Sequence, residues 1–335
     1  MSSKQQASML VESLSIENSL PPAKPFIIKS GVDRYGFSHV LARYCNYIGT
    51  PRSFANWIHG WIYEDDPTVE DLLCSGLPRD VRVIVRNERE RLALIGDGFR
   101  DVIVGGLPFG YVKQQHRNRI NNSLIAYPPH STEAERMATS QVEYLDYLES
   151  LKADFDSVFV SIGFHDLGSE MHRAATSRGI HVVQGARPDD ANSLLRVRAI
   201  LDSFEYVTSN VFGSHVLYAL FAESAFSFCG PIYSLSAPEL LHNASCEHWS
   251  RNYIEKQLWI LSKSFLVAKF SRFLCSHPSL GVKDKVFADD QIGFFNQLTP
   301  SQVVRNLGWS PLGQVSGYAN GARRRLLRSL NLHNN

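Results

Sequence analysis

Residues 205–231 read EYVTSNVFGSHVLYALFAESAFSFCGP. An apolar run ends in Thr208, Ser209 and Asn210, and Gly213, Ser214 and His215 follow. An amphipathic stretch with alanines then leads to a second apolar run closed by Gly230-Pro231. That order predicts a strand, a polar loop, a helix and a second strand. A helix starting near Gly213 would expose its first amides and its positive dipole end, and Gly213 would let a ligand approach the backbone. Ser209, Asn210, Ser214 and His215 could add donors, which makes the loop a place for a phosphate or pyrophosphate. The plainer reading is that Ser209 or Asn210 caps the helix, although the loop holds more polar groups than a cap needs.

Working outward, the same unit recurs. In the first half, apolar runs at 26–30, 53–61, 81–87, 101–112 and 123–131 are each followed by a polar loop or helical pattern, ending in a helix that runs to about residue 151. A second series follows: DSVFVSIGFHD at 156–166, HVVQGARPDD at 181–190, FEYVTSN at 204–210 and SAFSFCGP at 224–231, with helical stretches between them. Strands alternating with helices imply parallel sheets with crossover helices. Two such series, with a break at 140–155, predict an α/β chain of two doubly wound, Rossmann-like domains. The expected division is a leader at 1–24, an N-terminal domain at 25–150, a C-terminal domain at 151–310 and a basic tail at 311–335.

Ligands of parallel sheets sit beyond the carboxyl ends of the strands. Polar clusters fall at six such ends: His59-Gly60-Trp61, Gly106-Leu107-Pro108, Pro129-His130-Ser131, Phe164-His165-Asp166, Gln184-Gly185-Ala186 and Thr208 to His215. Spread over two facing domains, they describe a cleft. His130 is left over once Ser131 or Thr132 caps the next helix and Glu133 enters its first turn, and it could donate to a phosphate oxygen or be a surface loop histidine. His59 stands between Trp57 and Trp61. It is either a general base with tryptophans able to stack on a sugar, or a packed core histidine. Asp33, Arg34 and His39 follow the first apolar run in GVDRYGFSHV and could reach the cleft, or belong to an ordinary strand-to-helix turn.

Composition narrows the class. The 335 residues carry 44% hydrophobic and 20% charged side chains and a net charge of +1, which suits a globular protein with no general field for nucleic acid. Five cysteines without CxxC spacing suggest reduced thiols in a cytoplasmic protein, not disulfides or zinc. No apolar run reaches the length of a spanning helix. No P-loop, GxSxG elbow or HExxH motif appears.

The segments IHGW (58–61), VIVGGLPFGYV (102–112), LIAYPPHSTE (124–133), VTSNVFGSHVLYALF (207–221) and FFNQLTPSQVVRNLGW (294–309) resemble, in this order, the GT-B-type glycosyltransferase-like proteins encoded with bacterial surface-polysaccharide genes (O-antigen and capsule). The resemblance spans about 25–310. More loosely, the chain is similar to bacterial sialyltransferases and Kdo transferases, whose His-Pro motif would correspond to His130-Ser131 and whose Ser/Thr-rich loop to Ser209, Asn210 and Ser214; their acidic base motif has no clear match. A more distant analogy is to non-hydrolysing sugar 2-epimerases.

The resemblance implies a metal-independent glycosyltransferase with no cofactor beyond a nucleotide-sugar substrate. His130, Ser131, Thr208, Ser209, Asn210, Gly213, Ser214 and His215 would hold the donor. Asp33, Arg34, His39 and Trp61 would meet a glycan or lipid-linked acceptor, with His59 as base. Nucleic acid is not an expected partner. Arg323, Arg324, Arg325 and Arg328 of the tail could lie on the anionic inner membrane, although a solvated helix face accounts for them as well. An epimerase on the same fold and a non-catalytic glycan- or partner-binding protein are the rivals.

Overall fold

The computed structural model describes residues 16–115, 118–131, 141–236 and 249–332, with side chains described as far as Arg323. The chain divides into two compact units. The larger comprises Met1–Ala23, Val112–Pro188 and Asn192–Ile292, and the smaller comprises Lys24–Tyr111, Asp189–Ala191 and Gly293–Asn335.

In the smaller unit three short parallel strands, β1 (Asn56–Trp57), β2 (Val83–Val85) and β3 (Val102–Val104), pair in the order β1-β2-β3. The helices α1 (Phe37–Tyr44) and α2 (Glu88–Gly96) belong with them. The Asn87 side chain accepts the Glu90 amide and so caps α2. Val83, Ile84 and Val85 are fully buried, as a central strand of a covered parallel sheet requires. Trp57 is buried against Phe37 and Tyr111, and its indole donates to the Gly106 carbonyl at 2.8 Å.

The expected opening strand at 26–30 is absent. Pro25 makes an isolated bridge to Asp190, and a 3-10 helix, Gly31–Gly36, follows. Two forces explain this. Ile27 is 79% exposed, so no apolar face pulls the segment into a sheet. The Asp33 carboxylate accepts the amides of Lys29 and Ser30 at 2.8 and 2.9 Å, bending the chain into a turn. A doubly wound sheet reverses its order, and the sequential order β1-β2-β3 does not.

The larger unit holds five parallel strands: β4 (Ile120–Tyr127), β5 (Ser157–Ile162), β6 (His181–Gln184), β7 (Phe204–Ser209) and β8 (Ala225–Phe228). They run in the order β6-β5-β4-β7-β8. The crossovers carry α3 (Val142–Ser150), α4 (Glu170–Ser177), α5 (Ser193–Ser203) and α6 (Ser214–Phe221). One face packs Leu124, Val158 and Val160 against Tyr144, Leu145 and Leu148 of α3 and Ala175 of α4. Alternate residues Ile125, Phe159 and Val207 point the other way and are equally buried. Burial on both faces is why these strands read as unbroken apolar runs. The helices α7 (Arg251–Ile260), α8 (Lys263–Phe270) and α9 (Lys285–Ile292) complete this unit.

The expected boundary at residue 150 is therefore displaced. β4 precedes it, yet pairs with β5 on one side and β7 on the other. The chain divides near residue 111 instead, and the last two helices, α10 (Pro300–Leu307) and α11 (Pro311–Leu332), belong to the smaller unit. Trp309 donates to Ser53 at 3.1 Å and the Phe54 amide to Leu307 at 3.1 Å, which ties α10 to the entry of β1. Most of the expected basic tail at 311–335 is the helix α11. The side chains of Arg324, Arg325 and Arg328 lie outside the described residues, as do most of the 1–24 leader, Thr132 and Glu133. Cys45, Cys74, Cys229 and Cys275 are free thiols. Among the described residues no helix is long and apolar enough to cross a membrane.

Gly36 shows how tightly the smaller unit is closed. Its φ is +73°, and a Cβ there would lie 2.5 Å from the Ala191 carbonyl oxygen and 2.6 Å from that of Asp190. Gly49 has a φ of +79° with nothing within 4 Å of a Cβ. Gly49→Ala should lose only the left-handed strain, about 1–2 kcal/mol. Gly36→Ala adds a backbone collision and should lose about 3 kcal/mol or more. Urea unfolding of the two variants checks this, and equal losses would contradict it.

Candidate functional site

The order of the larger sheet reverses at the β4–β7 pair. β4 is central, β5 and β6 extend one side, and β7 and β8 extend the other. The loops leaving β4 and β7 therefore part company at their carboxyl ends, where doubly wound sheets bind ligands. Those loops are Pro128 to Ser131 and Asn210 to Gly213, two of the polar clusters the sequence marks out.

Residue by residue, most of the β7 loop turns inward. Thr208 is fully buried and donates to the Ser227 carbonyl at 3.1 Å, so it stitches β7 to β8 and is not a ligand donor. Asn210 is 1% exposed, and its amide donates to Gln141 Oε1 at 3.2 Å and the Pro231 carbonyl at 3.0 Å. Ser209 is also fully buried. Its Oγ lies 2.6 Å from the Tyr127 carbonyl, 3.1 Å from the Val211 amide and 2.9 Å from His215 Nε2. A hydroxyl has one proton. With that proton on the short bond to Tyr127, Oγ accepts from Val211 and from the Nε2–H of His215. This assigns the Nε2–H tautomer, which also points at the Val211 carbonyl 3.2 Å away. The same arrangement rules out Ser209 as a nucleophile paired with His215, since it is closed to solvent.

His215 is held further by Tyr127, whose ring stacks on it at 5.6 Å and 3°. Burial drives its pKa down to about 3, with the neighbouring His130 adding to the drop and the Val211 carbonyl opposing it. His215 is thus neutral and supplies no positive charge.

The helix start is what remains. Gly213 is the N-cap of α6, with no side-chain hydrogen bond to cap it. Neither Ser209 nor Asn210 serves as the cap. The loop side chains hold the loop together, and α6 begins at the carboxyl end of β7 with Ser214 as its first helical residue.

Across from it, the β4 loop gathers against the end of β5. The Ser131 amide donates to Asp166 Oδ2 at 2.8 Å, and both residues are buried. Gly163 leaves the room: a Cβ there would lie 3.2 Å from the His130 ring and 3.3 Å from Asp166 Oδ2. His130 has an exposed edge. The protein packed around it still lowers its pKa below the usual 6.5, while the Asp166 carboxylate pulls it up and His165 pushes it down. His130, Ser131, the α6 start and His215 therefore share one edge of the larger sheet. Tyr127 and Asp166 join them. The sequence signal for Asp166, a polar Phe-His-Asp end on a strand, was present, and that for Tyr127 was hidden because it reads as the last apolar residue of β4.

The residues expected to meet an acceptor are in the smaller unit. His59 follows β1 by two residues and lies 5.5 Å from the Tyr35 ring. Burial, helped by the Arg34 charge, lowers its pKa to about 4. Arg34 is exposed. Asp33 is spent on the turn at 29–30, as shown above. His39 packs edge-on against Phe26 at 4.7 Å. Trp61 is 5% exposed and Trp57 1%, so neither offers an open face to a sugar; both are core. Among the described residues no group of three or more His, Cys, Asp or Glu side chains is placed to hold a metal.

No family model matches the chain, and no curated protein matches its sequence. Several solved structures resemble it loosely. TarM of S. aureus, in complex with Fondaparinux, alpha-GlcNAc-glycerol and UDP, aligns over 79% of this chain and 50% of its own, at 11% identity and a TM-score of 0.32. WaaG, a glycosyltransferase involved in lipopolysaccharide biosynthesis, aligns over 68% and 62%, at 13% identity and 0.30. Arabidopsis thaliana UGT89C1, complexed with UDP-L-rhamnose, aligns over 90% and 72%, at 10% identity and 0.31. The chain spans about half the length of TarM.

The depressed histidines give a pH signature. An unfolded imidazole titrates near 6.5 and folded His215 near 3. As pH falls below 6.5 the unfolded state takes the proton first, so stability is full above 6.5 and declines toward pH 3. His215→Gln removes that share. Its melting temperature should fall less steeply than the wild type's between pH 6.5 and pH 4, and parallel curves would refute the neutral state.

Proposed function

We propose that the chain is a glycosyltransferase that holds the pyrophosphate of a nucleotide-sugar at the start of α6. The observation that carries the reading is the uncapped helix start at the β4–β7 switch point. The dipole end of a helix whose cap residue has no side chain favours an anion there. In this reading His130, on the neighbouring loop, donates to a phosphate oxygen. An arriving anion raises its pKa and so favours the protonated donor form. Proposed donor contacts are thus the Ser214 and His215 amides, the Ser214 hydroxyl, His130 and Ser131. Tyr127, Ser209 and the His215 ring act as supports.

The step from an anion site to sugar transfer rests on the resemblance of the motifs at 58–61, 102–112, 124–133, 207–221 and 294–309 to the GT-B-type proteins of surface-polysaccharide synthesis. In that reading a glycan or lipid-linked acceptor receives the sugar, and His59 takes the acceptor proton. A histidine with a pKa of about 4 is already unprotonated at neutral pH, so the base is available though weak. Leaving-group charge is met by amides, the helix dipole and His130, and no metal is required.

Ser214→Asp separates folding from binding. A carboxylate in the first turn suits the helix, so the melting temperature should hold or rise slightly. The same charge repels a diphosphate. Titration calorimetry with UDP, GDP and CMP should find one nucleotide that binds the wild type, weakened at least about tenfold in Ser214→Asp, a loss of about 1.4 kcal/mol. His59→Gln should keep that binding and lose transfer. Undiminished binding in Ser214→Asp would overturn the donor site. Altered sugar without an acceptor would favour the epimerase reading.

A further inference from the structure

The smaller unit holds a cavity of about 570 Å³ that none of the residues discussed as donor or acceptor contacts lines. It lies at the amino ends of its strands, where Ser53 to Asn56 enter β1, Arg82 enters β2 and Asp101 precedes β3. His59 is beyond the opposite, carboxyl end of β1. The end of α10 and one face of α11 complete the wall. The volume is that of a small-ligand site.

Its chemistry is specific. Three arginines, Arg52, Arg82 and Arg305, face it against two aspartates, Asp80 and Asp101. Arg82 is held by Asp101 at 2.9 Å and by Asn306 Oδ1 at 3.3 Å, so it is fixed in place. Arg52 lies over the rings of Tyr318 and Phe54, at 5.6 and 5.8 Å. Tyr318 is 52% exposed. Asn56, Asn306 and Asn320 add amides.

The glycines of α11 give a second, independent sign. Gly313, Gly317 and Gly321 recur on one face, although glycine weakens a helix interior. Two have packing reasons: a Cβ on Gly313 would lie 2.8 Å from the Gly308 backbone, and one on Gly317 would lie 2.4 Å from the Phe54 ring. A Cβ on Gly321 would meet nothing within 4 Å. Gly321 lines the cavity, and what its missing side chain keeps open is the cavity itself.

We propose that this cavity binds an acidic glycan, an oligosaccharide carrying uronate carboxylates. The excess guanidinium charge meets the carboxylates, Tyr318 offers a ring to the apolar face of a sugar, and the amides meet hydroxyls. The site is separate from the donor site proposed at α6.

Titration calorimetry of the full chain with tetragalacturonate and with maltotetraose tests this. Tetragalacturonate should bind, at least tenfold tighter than maltotetraose, and its affinity should fall as salt rises. Gly321→Leu fills the cavity while placing a better helix former, so it should weaken tetragalacturonate at least tenfold with an unchanged or higher melting temperature and unchanged UDP binding. Arg305→Ala should weaken it about fivefold. Equal binding of the two tetrasaccharides, no binding of either, an undiminished affinity in Gly321→Leu, or displacement of tetragalacturonate by UDP would each overturn the assignment.

Discussion

A parallel strand cannot be reached by a hairpin, so each new strand of the larger sheet needs a crossover, and every loop that leaves a strand emerges at the same end. β4 enters this sheet first and takes the central place. The strands after it must then be added on one side as β5 and β6 and on the other as β7 and β8. At the point where growth changes sides, the loops leaving the neighbouring strands β4 and β7 turn away from each other and leave an opening. The position of the candidate site follows from that order before any polar side chain is considered.

Within that opening the side chains and the backbone divide the work. Thr208, Ser209 and Asn210 all carry groups suited to a phosphate, yet each is bonded into the protein. Their commitment fixes the loop, and Gly213, having no side chain, leaves room for the His215 ring, whose Nδ1 would lie 2.9 Å from a Cβ there. A loop whose own hydroxyls wavered between capping and binding would compete with a ligand for the amides of α6. Here the competition is already resolved in the free protein, which is how a site becomes preorganised.

How much of this was legible in the sequence can be judged element by element. β5, β7 and β8, the helix from Ser214 and the polar ends of the strands were readable because period and apolar run length report them directly. The sheet to which a strand belongs was not: SLIAY at 123–127 has the same pattern whether it closes one sheet or founds the next, and it founds the next. The run at 26–30 looked like a strand by composition, but Asp33 captures its amides locally. Trp61 and Asp33 had the right chemistry for an acceptor site and went instead to the core and to a turn, because pattern shows what a side chain can do but not what it is bonded to. Asp166 was readable as a polar strand end; its pairing with the Ser131 amide, 35 residues away, was not.

The charges of the larger unit are distributed unevenly between the two ends of its sheet. At the amino ends, Arg198 and Asp202 form a buried ion pair at 3.0 Å, Asp202 also accepts the Gln115 amide, and Arg119 donates to the carbonyls of Phe204 and Ala222. Buried charges of this kind need their partners, and removing one leaves the other uncompensated. At the carboxyl ends of β4 and β7 the titratable groups, His130 and His215, have pKa values below the usual 6.5. Asp166 is the carboxylate nearby, and it is engaged by an amide. With both histidines held toward the neutral form and Asp166 engaged, the α6 dipole, worth about half a charge, makes up a substantial part of the local field set by the described residues. Among the described residues, the buried charges at the amino ends are thus the ones that lock strands together.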